Sequence, residues 1–137
     1  MQIVMIPANI AREVWPDIVH LIKLATDEND GRYEPDDVLA EVEEGNAHLW
    51  VIYNEERGQA DAAITTKIIQ YPRKRVCLQQ FCGGTNMPEW VKQWEETVTA
   101  YAKACDCTSL ELVGRRGWLR IVPDVKQAAT SLIKDIT

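Results

Sequence analysis

The chain has 137 residues, 46% hydrophobic and 26% charged, a composition that fits one ordinary globular domain able to bury roughly two-thirds of its unfolded surface. Its net charge is −6, and nine acids fall between Asp27 and Glu44, which argues against nucleic acid as the main partner because such a face repels phosphate. No apolar run approaches the roughly 20 residues of a membrane span, and Met1-Gln2-Ile3-Val4 is not a basic stretch leading into an apolar core, so a single cytoplasmic domain over residues 1–137 is expected.

A short apolar strand, Ile3 to Ile6, comes first. Ile10, Val14, Ile18, Leu21, Ile22 and Ala25 then recur at threes and fours, which predicts an amphipathic helix, with Pro16 expected to kink or divide it. Asp27 to Tyr33 reads as a polar loop. Glu34 to Glu44 reads as a second, acidic helix, with Pro35 near its start and Gly45 just past its end. Three meandering strands follow: His48 to Asn54, Ala60 to Tyr71 and Val76 to Cys82. Trp90, Trp94, Val98, Tyr101 and Cys105 form the stripe of a third helix, with Asn86 and Glu89 reading as a capping box around Pro88. A strand from Ser109 to Val113, a short helix at Trp118 and a last strand near Thr130 to Ile136 complete the chain. A helix between the fourth and fifth strands is a crossover, so parallel neighbours are expected at the sheet's centre, with helices on both faces.

The four cysteines do not suggest a metal site. Cys105 and Cys107 are spaced too tightly for a zinc pair, and the odd separation of Cys77 and Cys82 on one strand predicts opposite faces. Buried thiols are the expectation, and Cys82 would act as a nucleophile only if its pKa were lowered.

The run Leu110-Glu111-Leu112-Val113-Gly114-Arg115-Arg116-Gly117-Trp118 carries the chemistry most readable from residues alone. A strand ends at a glycine, two arginines follow, and a helix opens directly after them. Backbone N–H groups and two guanidiniums converging there would suit an anion such as a phosphate. The plain alternative is a strand-to-helix turn with two solvated arginines. In open α/β sheets ligands favour the crevice beyond the strands' carboxyl ends, here Phe81-Cys82-Gly83-Gly84 and Val113-Gly114-Arg115-Arg116.

This order of elements resembles the GNAT superfamily of acyl-CoA-dependent N-acetyltransferases over essentially the whole chain. The resemblance implies an α/β (α+β mixed) fold, a central mixed sheet of about six strands with helices on both faces. It also implies acetyl-CoA as cofactor, with the pyrophosphate held where the fourth strand opens into a helix. The matching junction is Cys82-Gly83-Gly84-Thr85-Asn86-Met87-Pro88, which makes Gly83, Gly84, Thr85 and Asn86 the candidate phosphate holders, with Arg115 and Arg116 adding charge. Two departures stand out. The superfamily's usual loop, an Arg or Gln, two residues, then Gly-x-Gly or Gly-x-Ala, does not occur between Phe81 and Trp90, and the last helix carries Trp118, Leu119 and Arg120 in place of a proton-donating tyrosine. Glu111 is the best candidate base: alternation turns it away from Leu110 and Leu112, to a buried or an exposed side, and if it is desolvated on the sheet its pKa would be raised. The Gly-Arg-Arg-Gly-Trp run is also similar to small GNAT-like proteins encoded by bacteriophages.

Two functions follow from the resemblance. One is an N-acetyltransferase of a small amine or protein amine, its cationic acceptor drawn by the acidic second helix. The other is a catalytically silent GNAT-like module that binds a protein, in a bacteriophage virion or on a host protein. Trp15 and Trp118 are the tryptophans expected to be exposed, and a shared apolar patch there would favour the module. The sequence leaves an oligomer open.

Overall fold

The computed structural model describes residues 1–114, 118–122 and 124–137, without the side chain of Leu119. Five strands form one sheet in the order β1-β2-β3-β4-β5: β1 Gln2–Ile6, β2 His48–Asn54, β3 Gln59–Gln70, β4 Arg75–Gly84 and β5 Ser109–Leu112. The first four are antiparallel neighbours, and β4 and β5 run parallel. The expected crossover is present, but its parallel pair lies at the sheet's edge. The predicted strand at Thr130 to Ile136 does not form, so β5 is the last strand of the sheet among the described residues.

Helix α1 (Ala11–Thr26) buries Ala11, Trp15, Ile18 and Ile22, spaced four, three and four apart, so one stripe meets the sheet. It runs unbroken through Pro16. That residue is exposed, so the Arg12 carbonyl it leaves without a helical donor can bond to water. Helix α2 (Pro35–Glu43) starts where the Glu34 N–H donates to Asp37 Oδ2 at 2.9 Å, and Gly45, at φ +81°, follows its end. These two helices cover one face of the sheet with an aliphatic core that also holds Phe81.

Helix α3 (Met87–Ala104) covers the other face with Trp90, Trp94, Val98 and Ala102. Trp50 meets Trp94 and Tyr101 edge-on, with ring centroids 5.4 and 5.1 Å apart, contacts worth about 0.5–1.5 kcal/mol each beyond buried area. Helices on both faces of a mixed sheet are therefore as expected, with five strands in place of about six. After β5 the described residues add only the four-residue helix α4 (Trp118–Ile121). Trp15 is buried against expectation, because its place on α1 puts it in the aliphatic core, while Trp118 is half-buried. The two share no exposed patch. No helix among the described residues is long and apolar enough to cross a membrane.

Candidate functional site

β4 is ten residues long and β5 only four, and that mismatch opens the sheet. The pair is in register from Val76↔Ser109 to Gln79↔Leu112, and the Val113 N–H donates the last bond to the Gln79 carbonyl at 3.0 Å. From Gln80 to Gly84 β4 continues alone on that side while β3 still holds its other edge. A fork therefore lies between the carboxyl ends of two parallel strands, where the edge of β4 has no strand partner among the described residues.

A β-bulge sits at the mouth of the fork. Register with β3 passes from Thr66↔Gln79 to Thr65↔Phe81, leaving Gln80 as the extra residue, and the Phe81 N–H is taken by Thr65 Oγ1 at 3.3 Å. The bulge resets the alternation of side chains. Cys77 and Cys82 consequently both pack on the α3 side, against the expectation of opposite faces, while Phe81 faces α1 and α2. Burial pushes both thiols up to about 12, so Cys82 is a core thiol rather than a nucleophile.

Two polar side chains at this bend are left incomplete. Gln79 is fully buried and its Oε1 accepts from Trp94 Nε1 at 2.8 Å, but its Nε2 has no partner among the described residues. Gln80 Oε1 is likewise buried and unpartnered. A buried donor and a buried acceptor left unpaired suit an ordered water.

The start of α3 is built differently from its sequence expectation. Gly83 and Gly84 each have a packing reason to lack a side chain. A Cβ on Gly83 would lie 1.7 Å from the Leu21 carbonyl oxygen, and one on Gly84 would lie 2.7 Å from Ala62 Cβ. The Thr85 N–H donates to the Asp61 carbonyl at 2.8 Å, and the Thr85 carbonyl accepts from Trp90 Nε1 at 2.7 Å. Asn86 takes a left-handed conformation (φ +56°) and makes no side-chain cap, so the predicted capping box does not form. Glu89, its other half, turns instead to Arg57.

Arg57, from the turn between β2 and β3, was not legible as a site residue. Its Nη1 and Nη2 grip both Glu89 oxygens at 3.1 Å, and Nη1 also reaches Asp61 Oδ2 at 3.2 Å. Glu89 and then Asp61 raise the pKa of this guanidinium. Asp61 is buried and held further by Asn54 Nδ2 at 3.1 Å and Asn86 Nδ2 at 3.5 Å. The available signal was Asp61 itself, one acid inside the apolar strand Ala60-Asp61-Ala62-Ala63-Ile64. For a diphosphate the junction offers little backbone. Pro88 has no N–H, those of Thr85 and Glu89 are already bonded, and two carboxylates stand beside one guanidinium. Backbone at this junction therefore offers an anion little, and a grip on phosphate there would have to come mainly from side chains.

Glu111 is exposed on β5, opposite Leu78, its neighbours Leu110 and Leu112 facing the other way, so the desolvation on which its candidacy as a base rested is absent. Arg115 and Arg116 lie outside the described residues. Gly114 is described: its bare Cα lets the Trp118 ring close in, since a Cβ would stand 2.8 Å from that ring. Tyr101 is part of the packed aromatic stripe, and burial raises its pKa. No group of three or more His, Cys, Asp or Glu side chains that could hold a metal occurs among the described residues.

Solved structures with this architecture are numerous. A ribosomal-protein-alanine N-acetyltransferase from Brucella melitensis biovar Abortus superposes with a TM-score of 0.69 at 12% identity, over 99% of this chain and 100% of that one. An aminoglycoside 6'-N-acetyltransferase from Acinetobacter haemolyticus gives 0.69 at 14% identity, over 100% of both chains. A GNAT family acetyltransferase from Staphylococcus aureus gives 0.64 at 7%, over 99% and 100%. The fold is that of the GNAT acetyltransferases. At these identities the likeness is one of fold. No protein-family model matches the chain, and no curated protein matches it in sequence.

Proposed function

We propose that this GNAT-fold chain is an acetyl-CoA-dependent N-acetyltransferase of a small amine or protein amine. The observation that carries the reading is the fork between β4 and β5, where the β4 edge from Gln80 to Gly84 has no strand partner among the described residues. Acetyl-CoA, when bound, supplies an activated acyl thioester. The chain's own residues do the rest. The β4 edge aligns the amide-bearing arm as an added strand would, with Gly83 and Gly84 at its end. Thr85 and Asn86, with Arg115 and Arg116, take the phosphate charge. Glu111 receives the proton of the incoming ammonium, so that the neutral amine reaches the carbonyl. The acidic α2 segment favours a cationic acceptor. The aminoglycoside and ribosomal-protein acceptors named for two fold neighbours are amines of that kind.

A second reading is supported by the start of α3, where Asp61 and Glu89 together outweigh the charge of Arg57 and leave a net negative cluster unfavourable to a pyrophosphate. Under it the chain is a silent GNAT-fold module, placed in a bacteriophage particle or against a host protein, and needs no acyl donor.

Melting temperature with millimolar acetyl-CoA, against CoA as control, separates the two. A ligand at about 100 times its Kd adds roughly 2.7 kcal/mol, several degrees for a domain of this size. A clear rise supports the acetyltransferase, and replacing Arg115 and Arg116 by Ala should then weaken binding by about 1–3 kcal/mol each. No shift with either ligand favours the module.

A further inference from the structure

The end of β4 opposite the fork gathers three of the four cysteines, and the acyl-transfer reading uses none of them. Cys77 is fully buried on β4, and Cys107 packs against the same aromatic core under α3. Cys105 closes α3: its N–H donates to the Tyr101 carbonyl at 3.0 Å, and its own carbonyl accepts from Arg75 Nε at 2.7 Å. The sulfurs stand near enough to act on one another. Burial pushes the Cys107 thiol up, the Arg75 charge works against that, and Cys105 adds to it. Burial, then Cys107 and Cys105, push Cys77 up to about 12.

The chain reverses tightly between the two outer thiols. The Asp106 N–H donates to the Lys103 carbonyl at 3.0 Å and the Cys107 N–H to the Ala102 carbonyl at 2.9 Å. Asp106 takes φ +62°, a left-handed place that glycine usually fills at a helix end. Cα atoms one residue apart cannot exceed about 7 Å even in extended chain, and a bend brings them into the roughly 4.4–6.8 Å that a disulfide spans. Both cysteines keep some surface, and a strained residue between two reachable thiols is the kind of arrangement that marks function. We propose that Cys105 and Cys107 are a redox-active dithiol that exchanges with a small disulfide of the glutathione type, closing a Cys105–Cys107 bond while Cys77 stays reduced. A thiolate of the pair attacks one sulfur of the small disulfide and expels the other as a thiolate. The second cysteine then attacks the protein's sulfur in the mixed disulfide and expels the remaining small thiolate. The pair gives up two protons and two electrons, and the small disulfide leaves as two thiols. Arg75 offsets negative charge on the Cys107 sulfur, whereas Cys77 is sealed from the oxidant. The site lies at the far end of β4 from the fork, so it holds whether or not the chain transfers acyl groups.

Mass spectrometry of the full chain, equilibrated in mixtures of oxidised and reduced glutathione and quenched with acid, tests this. Trypsin leaves Cys105 and Cys107 together on residues 104–115, and Cys77 with Cys82 on residues 76–92. The dithiol predicts a 104–115 peptide lighter by two hydrogens, formed about tenfold more fully in the native chain than in urea at the same glutathione ratio. Cys105→Ser and Cys107→Ser, each with the parent's far-ultraviolet circular dichroism, should accumulate a glutathione adduct in place of the closed bond. A chain that stays reduced overturns the proposal, and so do glutathione adducts on the parent that never close. A bond joining the two peptides overturns it by bringing in Cys77 or Cys82, and closure equally complete in urea overturns it by leaving the fold no part in the pairing.

Discussion

The two halves of β4 teach opposite lessons about one strand. From Arg75 to Gln79 it is held on both edges, by β3 and by β5, and its buried side chains fit an ordinary alternation. From Gln80 to Gly84 it is held on one edge only, begins at a bulge, and ends in two glycines pressed against other backbone. The first half is what the sheet needs in order to exist. The second departs from the period-two pattern, leaves polar atoms unsatisfied and exposes a strand edge, and departures of that kind concentrate where a fold binds something. Three perturbations sharpen the contrast.

The largest concerns Gly83. Alanine there would drive its Cβ to 1.7 Å from the Leu21 carbonyl oxygen and 2.7 Å from the carbonyl carbon, and neither is a flexible side-chain end that can swing aside. Gly83→Ala should cost more than about 3 kcal/mol, a fall of about 10 °C or more in melting temperature. Gly58→Ala is the control. It sits at φ +64° with nothing within 4 Å, so it should lose only about 1 kcal/mol. Should Gly83→Ala melt no lower than Gly58→Ala, α1 does not lie against the open half of β4, and the glycines there would be free for a ligand alone.

Gln79 comes next, at the junction of the halves. Gln79→Leu keeps much of the volume but leaves Trp94 Nε1 buried without its acceptor, so a loss of about 1–3 kcal/mol is expected in urea denaturation. Gln80→Leu removes a buried acceptor that had no partner, and should be neutral or slightly stabilising. Equal losses in the two variants would erase the distinction between a paired and an unpaired carboxamide. If the fork holds an amide-bearing ligand, both variants should also reduce any acetyl-CoA melting shift.

Much of the fold was legible because it follows from spacing. The limits of β2, His48 to Asn54, and the stripe of α3 could be read directly, and so could the crossover joining β4 to β5. What escaped depends on the partner more than on the segment. Nothing in Leu78-Gln79-Gln80-Phe81 marks an extra residue until Thr65 and Thr66 are set opposite, so Cys77 and Cys82 were assigned to different faces. Thr130 to Ile136 has a strand's composition, but a strand needs a neighbour, and no strand of the sheet pairs with it. The site was legible in part. The glycine junction stood out, but an ion pair between Arg57 and Glu89, 32 positions apart, leaves no local pattern, and it is this pair that displaces the expected cap.

The smallest effect tests the two halves through their thiols. Cys77 lies in the half held on both edges and Cys82 in the half that opens, yet burial pushes both up to about 12 from an ordinary value of 9.0. Unfolded, each thiol loses its proton near pH 9; folded, it keeps it until about pH 12. Through that window the folded state binds more protons, so stability must fall as pH rises, by at most about 1.4 kcal/mol per unit for each fully buried thiol. Cys82→Ala should flatten part of this slope between pH 8 and pH 10 in urea denaturation. Alkylation distinguishes the positions further. A closed fork leaves both thiols equally inert to iodoacetamide in the native protein, whereas a fork that opens in solution lets Cys82, which retains some surface, react first. Faster labelling at Cys77 would reverse the order of the two halves and place the weak point of the sheet where β4 and β5 are paired.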